Sequence, residues 1–215
     1  MNNQTHQLLT DLLRPQSIDE LGLAEEDIRR LEQMLSQDSI MNMIFHGRTG
    51  TGKTAACTMI SKRIAPENTL RWNGAAAWNM DTITQIDTYA ATRALGGRKA
   101  CLVDEVDLLP KKMQNALRSV LDKKSMNTAF IFTANDIKKV IPAIQSRALL
   151  VCFDVAPADC TEMKQRLQTR YMRILSEANI PYEPVRLERI IEDHFPDLRS
   201  VANHLQWEFG TAVAA

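Results

Sequence analysis

An excess of charge of either sign is missing from this chain. Its 215 residues carry 26 Lys and Arg against 26 Asp and Glu, a formal net charge of zero. The whole molecule therefore offers no long-range attraction to a polyanion, and a nucleic-acid partner would have to be met by a local basic patch. Closely spaced cysteines are missing too. Cys57, Cys101, Cys152 and Cys160 are far apart and form no C-x-x-C pair, which argues against zinc. Three of them lie in apolar or helical surroundings, so buried free thiols in a reducing compartment are expected. No apolar run approaches the roughly 18 residues of a membrane span, and no membrane partner is expected. The first residues, Met1 to His6, lack a basic stretch followed by an apolar one, so a secretion signal is not expected and a cytoplasmic location is. Internal repeats and low-complexity tracts are absent. What remains is an ordinary globular composition, 45% hydrophobic and 24% charged, long enough for one large domain or a main domain with a small satellite.

What is present is a phosphate-binding loop. Gly47-Arg48-Thr49-Gly50-Thr51-Gly52-Lys53-Thr54 matches G-x-x-x-x-G-K-[ST] in full. It follows a short apolar strand, Met43 to His46, and precedes a stretch free of Gly and Pro, Ala55 to Arg63, that reads as a helix. Glycines let the backbone curl so that successive N–H groups face one anion, and the helix N-terminus adds its positive end. Lys53 is placed to reach the β- and γ-phosphates of a nucleotide, and the Thr54 hydroxyl to ligate Mg²⁺.

Periodicity supplies the frame. Leu8, Leu9, Leu12 and Leu13 share a helical face before Arg14-Pro15 breaks the pattern, and a second helix is expected over about Ala24 to Ser36. Further strands are expected at 69–73, 100–104, 129–133 and 148–153, with helices at about 81–94 and 111–124 between them. Strands alternating with helices, with the phosphate loop after the first strand, indicate a parallel α/β sheet covered on both faces. After Asp154 the pattern changes to three amphipathic helices carrying Met163 to Ala178, Leu187 to Phe195 and Leu198 to Phe209. The expected division is an α/β core, residues 1–154, and a three-helix satellite, residues 155–215.

Two further groups carry chemistry. The apolar run Cys101-Leu102-Val103 ends in Asp104-Glu105. Beside a phosphate loop, Asp104 is suited to hold Mg²⁺ and Glu105 to activate the attacking water as general base. That pair distinguishes a hydrolase from a plain nucleotide binder. Asn135, at the tip of the next strand, is suited to hold the lytic water.

Together these residues resemble the AAA+ ATPases, and among them the clamp-loader subunits such as replication factor C small subunits and their phage counterparts. The resemblance covers nearly the whole chain. Arg14-Pro15 with Ile18-Asp19-Glu20 is similar to the N-terminal segment that lies against the adenine, which makes Arg14 and Pro15 nucleotide-binding candidates. Asp104-Glu105-Val106-Asp107 is similar to the D-E-A-D form of Walker B, and Gln114 to Arg118 to the helix that follows it. Thr133-Ala134-Asn135 resembles sensor 1. Ile144-Gln145-Ser146-Arg147 resembles the motif whose arginine enters the neighbouring subunit's site, and Asp197-Leu198-Arg199 resembles sensor 2 on the last lid helix. The resemblance implies a P-loop AAA+ core with a five-stranded parallel sheet and a small helical lid. It implies ATP and Mg²⁺ as cofactors, hydrolysis completed in trans by Arg147, and Arg199 on the γ-phosphate. Other AAA+ subunits, DNA and a sliding clamp are the implied partners.

The chain departs from that pattern in three places. Ala148 stands where the family has Cys after Ser146-Arg147. Trp78 to Gln85 lacks the basic residues of a template-contacting helix, although Arg93, Arg98 and Lys99 follow, and Trp72 and Trp78 are suited either to stacking on bases or to burial. The sequence ends at Ala215, where the family continues into a helical collar, so assembly is expected to rest on AAA+ contacts, nucleotide, DNA or another protein. A helicase loader, a transposition-type DNA-binding regulator and a non-hydrolysing ATP-binding module stay open as alternatives.

Overall fold

The computed structural model describes residues 8–37, 41–92, 97–124 and 128–210. Arg93, Ala94 and the residues before Leu8, on which part of the reading above falls, lie outside them. The described elements are α1 (Leu9–Leu12), α2 (Glu25–Ser36), β1 (Met43–His46), α3 (Lys53–Ile64), β2 (Thr69–Asn73), α4 (Met80–Ala91), β3 (Lys99–Asp104), α5 (Lys111–Lys124), β4 (Thr128–Ala134), α6 (Pro142–Gln145), β5 (Leu149–Cys152), α7 (Cys160–Glu177), α8 (Pro184–His194) and α9 (Leu198–Phe209). Short 3-10 turns occupy Ile18–Glu20, Val106–Leu108 and Ile137–Lys139. These turns and α6 escape hydrophobic periodicity because none is long enough to show a repeat.

The strands form one parallel five-stranded sheet in the order β2-β3-β4-β1-β5. The central strands β1, β3 and β4 are the continuous apolar runs, and burial on both faces explains why they do not alternate with polar residues. Successive side chains point to opposite faces. Ile44, Cys101, Val103, Phe130 and Phe132 pack with α4, α5 and α6, whereas Met43, Phe45, Leu102 and Ile131 pack with α2 and α3. A third cluster joins α7, α8 and α9 and takes in Leu9 and Leu13 of the α1 segment. The most N-terminal helix described therefore packs with the most C-terminal ones.

Two expectations need correction. Cys57 and Cys101 are buried free thiols, Cys101 with a pKa that burial raises to about 12, but Cys152 is exposed and Cys160 only half-buried. Cys152 lies on β5, whose edge position leaves one side of the strand uncovered. Lys99, considered above as a basic residue near nucleic acid, is 4% exposed. Its Nζ donates to the carbonyls of Tyr89 and Thr92, both at 2.6 Å, and so caps the C-terminal end of α4. Trp72 and Trp78 are half-buried against the core with ring centroids 6.0 Å apart, and Trp78 Nε1 donates to Asn73 O at 2.7 Å.

One buried side chain ties the turn after β3 to the turn after β4. Gln114 on α5 is 1% exposed. Its Nε2 donates to Leu109 O at 3.0 Å and Lys139 O at 3.1 Å, while Oε1 accepts from Ile141 N at 2.9 Å. Gln114→Leu would leave three backbone groups without partners, so a loss of about 2–4 kcal/mol of unfolding free energy is expected. Chemical denaturation checks this, and a loss below about 0.5 kcal/mol, the range of ordinary surface changes, would refute it.

Candidate nucleotide site

The phosphate loop leaves the C-terminal end of β1 and enters α3, with Gly52 as N-cap at φ 97. Its curl is held by side chains on both sides. Thr51 Oγ1 donates to Arg48 O at 2.9 Å, and Asp154, just beyond β5, accepts from Arg48 N at 2.7 Å. Lys53 is 6% exposed, and its Nζ donates to Gly47 O at 2.7 Å and Arg48 O at 2.6 Å. An ammonium has three donors, so one remains for a phosphate oxygen. Burial pulls the Lys53 pKa down; the carboxylates of Asp154, Asp107 and Asp104 oppose this, and nearby Arg199 adds to it. His46 is likewise pulled down, mainly by burial, which suits a neutral strand-end side chain.

The acids come from the neighbouring strand ends. The register sets His46 beside Ala134 and Val103 beside Phe132, so residues 47, 104–105 and 133–135 emerge along one edge. Thr54 Oγ1 lies 3.1 and 3.3 Å from the two oxygens of Asp104. The Thr133 hydroxyl donates to Asp104 Oδ1 and accepts the Glu105 N–H at 2.8 Å. Glu105 has φ 55 and ψ 48, a left-handed conformation that costs roughly 1–3 kcal/mol in a non-glycine residue and persists where its surroundings impose it. Gly74, at the end of β2, is one such surrounding: a Cβ there would lie 2.1 Å from Glu105 O. Asn135 follows β4 directly, and its N–H, with that of Asp136, donates to Asp107 Oδ2 at 3.2 and 3.1 Å.

The N-terminal turn of α9 closes the other side. The Arg199 N–H donates to Gly50 O at 3.3 Å, and a Cβ on Gly50, at φ +84, would come within 1.9 Å of Asp197 Oδ1. Asp197 also caps α9 by accepting from Ser200 N at 2.9 Å. The Arg199 side chain is exposed and has no ion pair among the described residues. Next to this contact lies a cavity of about 430 Å³ whose lining includes Glu20, Gly22, Met163, Arg170 and Leu198. Three α7 arginines fasten its N-terminal wall. Arg166 donates to Asp19 O and Leu23 O, Arg170 to Leu13 O, and Glu20 pairs with Arg170 at 3.2 Å and Arg173 at 3.0 Å.

The structure thus brings Gly47, Thr49, Gly50, Thr51, Gly52, Lys53, Thr54, Asp104, Glu105, Asn135 and Arg199 to one place. It does not bring Arg14, Pro15 or Arg147 there. Arg14 is exposed and pairs with Asp11 at 3.3 Å, and neither it nor Pro15 lines the cavity. Arg147 precedes the start of β5, whose far end adjoins the phosphate loop. The four residues of β5 alone, at about 3.3 Å each, set it at least about 10 Å away. There it pairs with Asp122 of α5, whose pKa the hydrogen bond from Arg147 lowers, and donates to Ala143 O at 2.7 Å. Sequence reasoning missed the roles of Asp154, Asp107, Gly74 and the α7 arginines. The first three sit at strand ends and follow only from the strand order; the arginines face a segment far away in the chain.

Residues 43–153 match the model of the ATPase family associated with various cellular activities (AAA). The chain is 32% identical over 209 residues to the replication factor C small subunit of Thermofilum pendens, covering 94% of this chain and 62% of that one. It is 28% identical over 200 residues to replication factor C subunit 3 of Saccharomyces cerevisiae, covering 90% and 57%. The chain therefore spans about 60% of the length of these relatives. In fold it is similar to a RuvB variant of Thermotoga maritima, with a TM-score of 0.68 at 17% identity, covering 91% of this chain and 64% of that one. A DNA polymerase III gamma subunit-related protein of the same organism aligns with a TM-score of 0.52 at 10% identity, covering 82% and 69%.

Proposed function

Because this chain belongs to the ATPase family associated with various cellular activities, we propose that it binds and hydrolyses Mg-ATP as one subunit of a clamp-loader-like assembly in DNA replication. The observation that carries this reading is the convergence of Lys53, Thr54, Asp104, Glu105 and Asn135 at neighbouring strand ends. The phosphate-loop amides and Lys53 hold the β- and γ-phosphates, and the cavity beside Gly22 and Leu198 takes the adenine. Two hard oxygen donors, the Thr54 hydroxyl and the Asp104 carboxylate, already converge, which fits Mg²⁺ held by few protein ligands together with phosphate. When bound, Mg²⁺ neutralises charge developing between the β- and γ-phosphates.

Glu105 takes the proton of the attacking water, which Asn135 holds in line with the γ-phosphate. Arg199 reads the γ-phosphate from the lid of the same subunit. The working division is a core, residues 1–154, and a lid, residues 155–215, with α1 packed on the lid. Arg147 serves a neighbouring subunit, and its distance from its own phosphate loop supports that assignment. Other AAA+ subunits, primed DNA and a ring-shaped clamp are the partners proposed from the relatives' family.

Arg147→Ala tests the shared site. ATP affinity is expected to stay within about threefold, while the hydrolysis that rises with protein concentration falls about 10³-fold, the lower end for an arginine supplied in trans. Wild-type turnover by this variant would exclude the shared site, and the absence of ATP binding by the unaltered chain would exclude the whole reading.

A further inference from the structure

We propose that Thr133 and Asp107 are positioning residues that lock the water-activating Glu105 and the water-holding Asn135 into one rigid unit. The proposal rests on the hydrolytic reading above. It deepens that reading by naming two side chains that touch no reacting atom and yet fix those that do.

The geometry is a reciprocal exchange between two strand ends. Thr133 belongs to β4 and is 2% exposed; its hydroxyl accepts the N–H of Glu105, which follows β3, at 2.8 Å. Asp107, in the turn after β3, is 7% exposed and accepts the N–H groups of Asn135 and Asp136, which follow β4. Each strand end thus supplies the acceptor for the backbone of the other's polar residue. Ladder hydrogen bonds cannot do this, because the register pairs β3 and β4 only as far as Val103 and Phe132.

The demand for such a lock is visible in Glu105 itself. Its left-handed backbone directs the side chain away from the course an extended strand would give it. An L-residue leaves that conformation unless several contacts impose it. The Thr133 hydroxyl supplies one and the close approach of Gly74 another. The same hydroxyl donates to Asp104, so one oxygen sets a candidate Mg²⁺ ligand and the candidate general base together. Asp107 Oδ1 is buried with no hydrogen-bond partner, and the carboxylate lies close enough to Lys53 to hold up its pKa. Its other oxygen, Oδ2, holds the Asn135 turn.

The test uses the full chain with Thr133→Val and Asp107→Leu, and the conservative pair Thr133→Ser and Asp107→Asn. Two readouts are taken: residue-resolved amide exchange without nucleotide, and fluorescent-ATP affinity beside single-turnover hydrolysis. Thr133→Val is expected to speed exchange at the Glu105 amide, and Asp107→Leu at the Asn135 and Asp136 amides, by 10-fold or more, while β1 and central β4 amides keep their protection. Affinity should stay within about threefold and the hydrolytic step fall about 10- to 100-fold, with most of it restored by the conservative pair. Unchanged exchange at these amides, or wild-type hydrolysis by Thr133→Val and Asp107→Leu, would overturn the proposal. If the unaltered chain does not hydrolyse ATP, the catalytic reading fails by itself, and the exchange data still decide whether the two residues hold these turns.

Discussion

Lys53→Ala is expected to weaken Mg-ATP binding by at least about 100-fold. A hydrogen bond to a charged group contributes roughly 1.5–3 kcal/mol, and this ammonium keeps one N–H for a phosphate oxygen. The upper end of that range, about 3 kcal/mol, is about 100-fold, because each 1.4 kcal/mol is about tenfold in affinity. A second effect acts in the same direction. Lys53 Nζ also holds the carbonyls of Gly47 and Arg48 and faces Asp154, Asp107 and Asp104. Its removal leaves the loop less curled and the site more negative, which repels phosphate further. Equilibrium titration with fluorescent ATP measures the loss, and circular dichroism establishes that the variant is folded. A folded Lys53→Ala protein that binds within tenfold of the unaltered chain would remove the phosphate loop from the mechanism.

Glu105→Gln separates binding from chemistry. The amide keeps the shape of the side chain and cannot take a proton from water. Loss of a general base lowers the hydrolytic rate by roughly 10²–10⁴-fold. Nucleotide affinity should stay within about threefold, because the phosphate-holding groups belong to the loop and α3. The same variant provides a trap for the assembly. With ATP held unhydrolysed, native mass measured with and without primed DNA should exceed that of one chain at micromolar concentration. Rapid hydrolysis by Glu105→Gln would transfer the role of base elsewhere. A monomer under all of these conditions would count against a site completed by Arg147 of a neighbour.

The phosphate loop and the acid pair were legible because each is contiguous in sequence and its chemistry is carried by residue type. The three central strands β1, β3 and β4 were legible for a related reason, since a strand buried on both faces reads as an apolar run. Cys152 and Lys99 were misread because edge and interior look alike until strand order is known. β5 is as apolar as β1, yet it lies at the border of the sheet and exposes Leu149, Leu150 and Cys152. Lys99 looked like a surface cation because no local pattern reveals that the end of α4 lies over it. Asp107 was read only as the last letter of a motif. Its acceptor role depends on β3 lying beside β4, a fact that lives in the topology.

The packing of α1 against α9 has a mechanical consequence. Leu9 and Leu13 belong to the cluster of α7, α8 and α9, whereas Ile18, Leu21 and Leu23 belong to the cluster beneath α2 and α3. The polypeptide therefore passes between these two clusters twice, once near Pro15 and once after Phe153. Two such crossings act as paired pins of a door. A change in the angle of α7, α8 and α9 to the sheet would have to turn about the line joining them. The α7 arginines and Glu20 lie beside one pin, and Asp154, which accepts from Arg48 N of the phosphate loop, lies beside the other. The far end of α9, where Gln206 Oε1 accepts the Thr10 N–H at 3.2 Å, is thereby tied to α1 beside the first crossing.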